Sequence, residues 1–149
     1  MNRQVYLLDL DAYRAISRWC RRSPRREVGG VLGGVGHYIV VALRMRNTSN
    51  APCSSFEWND ADVPKARRVL ADLDLRLVGW WHSHPRGSAR PSRHDVECQS
   101  GLELIWSGSQ RQPRLWRLKG TKKQVLRNEL GLLVGRSING KALWCGHVR

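Results

Sequence analysis

No apolar run in this sequence approaches the roughly 18 residues a membrane-spanning helix needs. Residues 1–9 make too short an apolar stretch for an export signal, and Asp9 and Asp11 interrupt its continuation. Cysteine is sparse. Cys20, Cys53, Cys98 and Cys145 are widely spaced and form no Cys-x-x-Cys pair, which argues against a structural zinc knuckle. We read them as free thiols in a reducing cytosol, and expect a cytoplasmic protein with no membrane partner. The glycine-rich stretch 29–36 lacks the Lys-Ser/Thr of a phosphate loop and the later glycine of a dinucleotide fingerprint, so nucleotide binding there is not indicated. Repeats, low-complexity segments and zinc-finger or RNP signatures are absent. Acidic residues are few: 12 against 26 basic ones, a net charge of +14. Such a field attracts an acidic partner or nucleic acid, although basic residues spread along the whole chain also serve solubility alone. The 149 residues suggest one domain, 1–149, long enough to bury a core without disulfide staples.

What is present centres on residues 79–95: Gly-Trp-Trp-His-Ser-His-Pro, a turn-rich hexapeptide, then Ser-Arg-His-Asp. Residues 75–82 are apolar and aromatic and read as a strand that Pro85 stops. Residues two apart in a strand share a face, so His82 and His84 project together, with Ser83 turned away into a backing role. Residues 86–91 form a loop, and Ser92 reads as the N-cap of a helix with Asp95 in its first turn. Two imidazoles and one carboxylate make a three-ligand metal set, which for zinc leaves a position open for water, the catalytic arrangement. Ser-x-x-Asp also reads as a capping box with Asp in place of Glu. His94 lies on the helix and is not expected to reach the metal. Cys98 is expected to pack rather than approach it.

A hydrolytic zinc site also needs a general base. Glu27 stands at the entry of an apolar, glycine-rich strand, Glu-Val-Gly-Gly-Val-Leu-Gly-Gly, and Glu57 and Glu97 rank behind it. Glu27 with Gly30-Val31-Leu32-Gly33, then His82-Ser83-His84-Pro85, six residues, Ser92, two residues and Asp95, resembles the JAB/MPN domain with an intact JAMM motif. Asn47, Pro52, the run 56–58 and the run 78–80 extend the resemblance over roughly residues 5–120. It implies an α/β, cytidine-deaminase-like fold: a single-domain mixed, largely antiparallel sheet flanked by helices, with 121–149 as an uncertain C-terminal extension. It implies one zinc ion per chain on His82, His84 and Asp95, with Glu27 as base and Ser92 steadying the oxyanion through its hydroxyl while its backbone caps the helix. The activity implied is hydrolysis of an amide after the C-terminal glycine of a ubiquitin-like or sulfur-carrier protein. The alternative is a catalytically silent scaffold of the same fold that binds protein or nucleic acid.

Along the rest of the chain, 4–8 read as a strand and a helix runs to about Arg22, capped by Asp9 or Asp11. Ala12, Ile16, Trp19 and Cys20 share its inner face, and Arg14, Arg18, Arg21 and Arg22 form a basic stripe. Residues 28–35 and 38–45 read as strands, whose glycines suit close packing or room for a peptide substrate. A short strand is expected at 55–58, then a helix to about Asp72 capped by Asp60 or Asp62. Strands follow at 102–106 and 115–118, joined by a short loop without long insertions. Residues 124–134 suit helix or strand, and Asn139-Gly140 suits a hairpin turn.

Overall fold

The computed structural model describes residues 3–98, 101–120, 125–136 and 145–148. The side chains of Glu97 and Cys98 and the turn at Asn139-Gly140 lie outside the described residues. The elements run β1 (Val5–Asp9), α1 (Leu10–Arg22), β2 (Gly29–Val35), β3 (Tyr38–Met45), α2 (Asp62–Asp72), β4 (Arg76–His84), α3 (Arg93–Cys98), β5 (Gly101–Ser107), β6 (Gln112–Gly120), β7 (Val125–Gly135) and β8 (Gly146–His147). The strands form one mixed sheet in the order β1-β7-β6-β5-β4-β2-β3-β8, and an extra β1–β3 pairing curls it toward closure. The long ladders β2–β3, β2–β4, β5–β6 and β6–β7 are antiparallel, whereas β4–β5 and both pairings of β1 are parallel. Among the described residues no helix is long and apolar enough to cross a membrane.

Strand alternation sorts the core into layers. Leu32, Ala42, Trp81, Leu104 and Trp106 face α1, which contributes Ala12, Ala15, Ile16, Trp19 and Cys20. Val31, Val41, Leu43 and Met45 face α2, which contributes Ala66 and Leu70. Trp81 is fully buried, stacks on Trp19 at 5.5 Å, and donates its indole N–H to the Leu43 carbonyl at 3.1 Å. Alternation then turns its neighbours Trp80 and His82 to the opposite face. There α3 packs through Val96 onto Ile105, Trp116 and Leu118.

Several local expectations are corrected, and several that stood open are decided. Asp9, not Asp11, caps α1, accepting the Asp11 N–H at 2.9 Å. Neither Asp60 nor Asp62 caps α2: the N-cap is Ala61, with no side-chain bond, and Asp62 lies in the first turn, where it pairs with Lys65. Residues 55–58 are not a strand. Their main chain is held by the 47–49 loop instead, through Thr48 N–H to the Glu57 carbonyl and Glu57 N–H to the Asn47 amide oxygen, so no ladder forms. The glycines of β2 leave no room for a peptide. A methyl on Gly29 would meet the Trp81 carbonyl at 2.5 Å, and one on Gly33 would meet Leu70 at 2.2 Å. Residues 125–135 are a strand wedged between β1 and β6, a pairing that local pattern does not encode.

Candidate metal centre

The centre assembles at the C-terminal end of β4. Both histidines lie in the extended strand, and their Nε2 atoms approach to 3.0 Å. Asp95 arrives from α3, the helix that crosses between the parallel strands β4 and β5. Its position is fixed by the capping box: Ser92 N–H donates to Asp95 Oδ2 at 2.8 Å, and Asp95 N–H donates to Ser92 Oγ at 3.1 Å. The same carboxylate places Oδ1 3.2 Å from His82 Nε2 and Oδ2 3.1 Å from His84 Nε2. Capping and site-building are therefore one geometry, and the alternative readings of Asp95 do not compete. The Ser92 hydroxyl makes the side-chain cap, which corrects the expectation that only its backbone would. Its own proton is left to donate elsewhere.

Glu27 is brought in by register. In the antiparallel β2–β4 pair Gly29 lies opposite His82, so two residues back along β2 and two forward along β4 set Glu27 against His84. Glu27 Oε1 lies 3.9 Å from His84 Nε2. Its main chain is clamped on both sides: Glu27 N–H donates to the Pro52 carbonyl at 2.7 Å, and the Asn47 amide donates to the Glu27 carbonyl at 3.0 Å. Ser83, turned to the opposite face, accepts the Val28 N–H on its hydroxyl at 3.0 Å and ties the two strands together. Glu57 is exposed on its loop and His94 is exposed on α3; neither belongs to the cluster.

Sequence reasoning missed Glu103. This side chain is 2% exposed, and its Oε1 sits 2.5 Å from His82 Nδ1. The only signal was an acid inside the apolar strand 102–106, on the same alternation face as Ile105. His84 Nδ1 faces the Ser88 carbonyl at 2.8 Å. Both imidazoles thus have an acceptor behind Nδ1, the arrangement that orients a metal-ligating histidine and leaves Nε2 free to ligate.

The charges fit a cation. Glu27, Asp95 and Glu103 are all buried around the two imidazoles. Burial pushes the Glu27 carboxyl above its usual range, against the pull of His82 and His84. Burial likewise raises Glu103. Asp95 is held well below the usual carboxylate range: burial opposes this, but hydrogen bonds with His82, His84 and the Ser92 N–H outweigh it. Burial alone would lower His82, yet hydrogen bonding to Asp95 and Glu103 carries it up to about 10. The cluster therefore holds positive charge strongly. The spacings between the donor atoms bear on the same point. A tetrahedral zinc with bonds of about 2.0–2.1 Å has ligand-to-ligand edges of roughly 3.3 Å. The two Nε2 atoms stand 3.0 Å apart, and each meets a different Asp95 oxygen, His82 with Oδ1 at 3.2 Å and His84 with Oδ2 at 3.1 Å, so each pairwise spacing is close to that length. Glu27, His82 and His84 also offer ligand atoms within 4.8 Å of one another, but Glu27 is farther from His84 than Asp95 is. His82, His84 and Asp95 make the tighter cluster, with Glu27 beside it.

The family model for prokaryotic homologs of the JAB domain matches residues 9–119. The chain belongs to that family. This JAB domain is 36% identical over 83 residues to a histone deubiquitinase, MYSM1, from Branchiostoma floridae, covering 52% of the chain and 10% of the relative. It is 38% identical over 93 residues to a human MPN domain-containing protein, covering 57% of the chain and 18% of the relative. The chain thus spans a fifth or less of the length of these relatives. A solution structure of protein DSY2949 from Desulfitobacterium hafniense shares the fold, with a TM-score of 0.76 at 20% identity over 95% of this chain and 99% of that one. The β5–β6 connection of this JAB domain is a tight turn, with Arg111 in the left-handed region at φ 53°.

Proposed function

We propose that this JAB domain is a zinc-dependent peptidase or isopeptidase, cleaving the amide after the C-terminal glycine of a ubiquitin-like or sulfur-carrier protein. The observation that carries the reading is the 3.0–3.2 Å cluster of His82, His84 and Asp95 with buried Glu27 at 3.9 Å. His82, His84 and Asp95 would hold the metal. When bound there, zinc supplies Lewis acidity, acidifying a water and polarising a carbonyl. Glu27 would accept a proton from the attacking water and return it to the leaving amine, and burial raises its carboxyl in the direction that favours holding that proton between the two steps. The Asn47 and Pro52 contacts hold Glu27 in place while it does so. Ser92 keeps a hydroxyl proton for the developing oxyanion. The thiols of Cys20, Cys53 and Cys145 are free, in keeping with a reducing cytosol.

The test is cleavage of a ubiquitin-like protein joined through its terminal glycine to a reporter amine, with metal content measured in parallel. Glu27→Gln should retain metal and lose activity by a factor on the order of 10² or more. His82→Ala should lose metal and activity together. A wild-type protein that carries metal yet cleaves no glycine-terminated fusion would leave the silent scaffold as the better reading.

A further inference from the structure

Beside Glu27 the surface opens into a groove of about 890 Å³, lined by three arginines and two carboxylates, Glu27 and Asp62. Arg26, Arg44 and Arg46 all line it. Arg26 and Arg46 are exposed and Arg44 is half-buried. Among the described residues, no carboxylate pairs with any of the three. Arg44 is the telling one. Its guanidinium is partly removed from water, which costs free energy unless a counter-charge is near. The charge partner identified for it is the thiol of Cys20, which burial pushes up to about 12, so it stays neutral. Arg44 lies in β3 and Arg46 just past its end at Met45, and both face this groove. Arg26 follows the exposed stripe Arg21, Arg22 and Arg25 from the end of α1, which extends the positive field up to the groove.

We propose that this groove binds an acidic segment of the polypeptide substrate, with Arg26, Arg44 and Arg46 receiving Asp or Glu side chains a few residues from the scissile amide. The inference rests on the peptidase reading above and names its substrate class. The lining argues for a peptide over a nucleic acid. Glu27 and Asp62 stand in the same groove, and a continuous row of phosphates would have to pass both carboxylates. Carboxylates spaced along a peptide can meet the arginines singly, and the Thr48 side chain stands among them to hydrogen-bond a main chain.

The test is binding, kept separate from cleavage. The full chain carrying Glu27→Gln is titrated with a fluorescein-labelled peptide bearing three acidic residues, and with its counterpart in which Gln replaces each. The acidic peptide should bind at least about tenfold more tightly, the scale of one or more charge-assisted hydrogen bonds. Arg26→Glu with Arg46→Glu should abolish the preference, and Arg44→Gln should weaken it. Added salt should erode it. Arg26→Glu alone changes an exposed residue outside any element, so its loss of preference cannot be assigned to unfolding. Equal affinity for the two peptides, a preference that survives the reversals, or tighter binding of a single-stranded oligonucleotide of equal charge each overturns the proposal. Failure of the wild type to cleave any fusion overturns the peptidase reading instead, while the peptide titration reports on the groove by itself.

Discussion

Glu103 offers a test in which metal affinity and folding stability should part company. The side chain lies inside the sheet with Oε1 2.5 Å from His82 Nδ1, while Oε2 has no hydrogen-bond partner. Replacing an acceptor behind a ligating histidine typically costs 10- to 100-fold in metal affinity, or about 1.4–2.7 kcal/mol. Glu103→Gln keeps an acceptor for the Nδ1–H but drops the charge, so zinc binding should weaken about tenfold. Glu103→Leu removes both, and binding should weaken toward a hundredfold. Stability without metal follows a different sum. In Glu103→Leu the unpartnered oxygen disappears, a gain of about 1–3 kcal/mol, while His82 Nδ1–H loses its acceptor, a loss of similar size. The two nearly offset, so the melting temperature in excess chelator should move by no more than about 4 °C for a domain of this size. Zinc affinity is read by competition with a chromophoric chelator, and stability by thermal unfolding in the same preparations. If the Leu variant binds zinc as tightly as wild type yet melts well below it, Glu103 is a packing residue, and the assignment of the support behind His82 is wrong.

Asn47→Ala removes four hydrogen bonds at once, to the carbonyls of Glu27 and Ser55 and from the N–H groups of Ser49 and Glu57. At about 1 kcal/mol each, discounted for exposure, it should destabilise by roughly 2–4 kcal/mol and lower activity with metal content unchanged; a variant with wild-type stability and turnover would rule out the clamp. Zinc binding should release protons. Burial opposes it, but Asp95 and Glu103 keep His82 protonated up to about 10, and a metal needs its deprotonated nitrogen. Affinity should therefore rise with pH, by up to about tenfold per unit from roughly pH 7 to 10, and level off above. Calorimetry in buffers of differing ionisation enthalpy should find about one proton released per zinc near pH 7, and a buffer-independent heat would contradict the charge state given to His82.

The parts of this site that were legible in the sequence are those that one local rule determines. Strand parity puts His82 and His84 on one face whatever lies on either side of the strand. The capping box puts Asp95 in the first turn of α3, because Ser92 and Asp95 each bond the other's backbone N–H through their side chains. The face of α1 follows from the spacing of Ala12, Ile16, Trp19 and Cys20. The expectations that failed or stood open between two readings each depended on what the chain meets elsewhere. Residues 55–58 have strand-forming side chains, but Asn47 and Thr48 take their main-chain groups first. The β2 glycines suit either close packing or room for a peptide, and Leu70 and the Trp81 carbonyl decide for packing. Residues 125–135 become a strand because β1 and β6 leave a slot between them.

Glu27 and Glu103 show why a resemblance could supply one residue and local chemistry could not supply the other. Both are buried acids, Glu27 just before β2 and Glu103 within β5, and neither has a local motif of its own. Glu27 stands at a fixed register from the histidines because β2 and β4 are antiparallel, so the start of one strand lies beside the end of the other. That relation holds the pair together however the rest of the chain varies, and a spaced motif captures it. Glu103 reaches His82 through the parallel β4–β5 pair, where it lies opposite Trp80 and leans along the strand toward the imidazole. Its place is derivable in principle. A strand, a helix and a second strand in succession favour parallel neighbours joined by a right-handed crossover. Given that crossover, an acid on the metal-facing side of the second strand has the first strand's histidine within reach. The step needed was to carry the parity argument across the helix, from β4 to β5, and to ask what a carboxylate on an apolar strand face would find there.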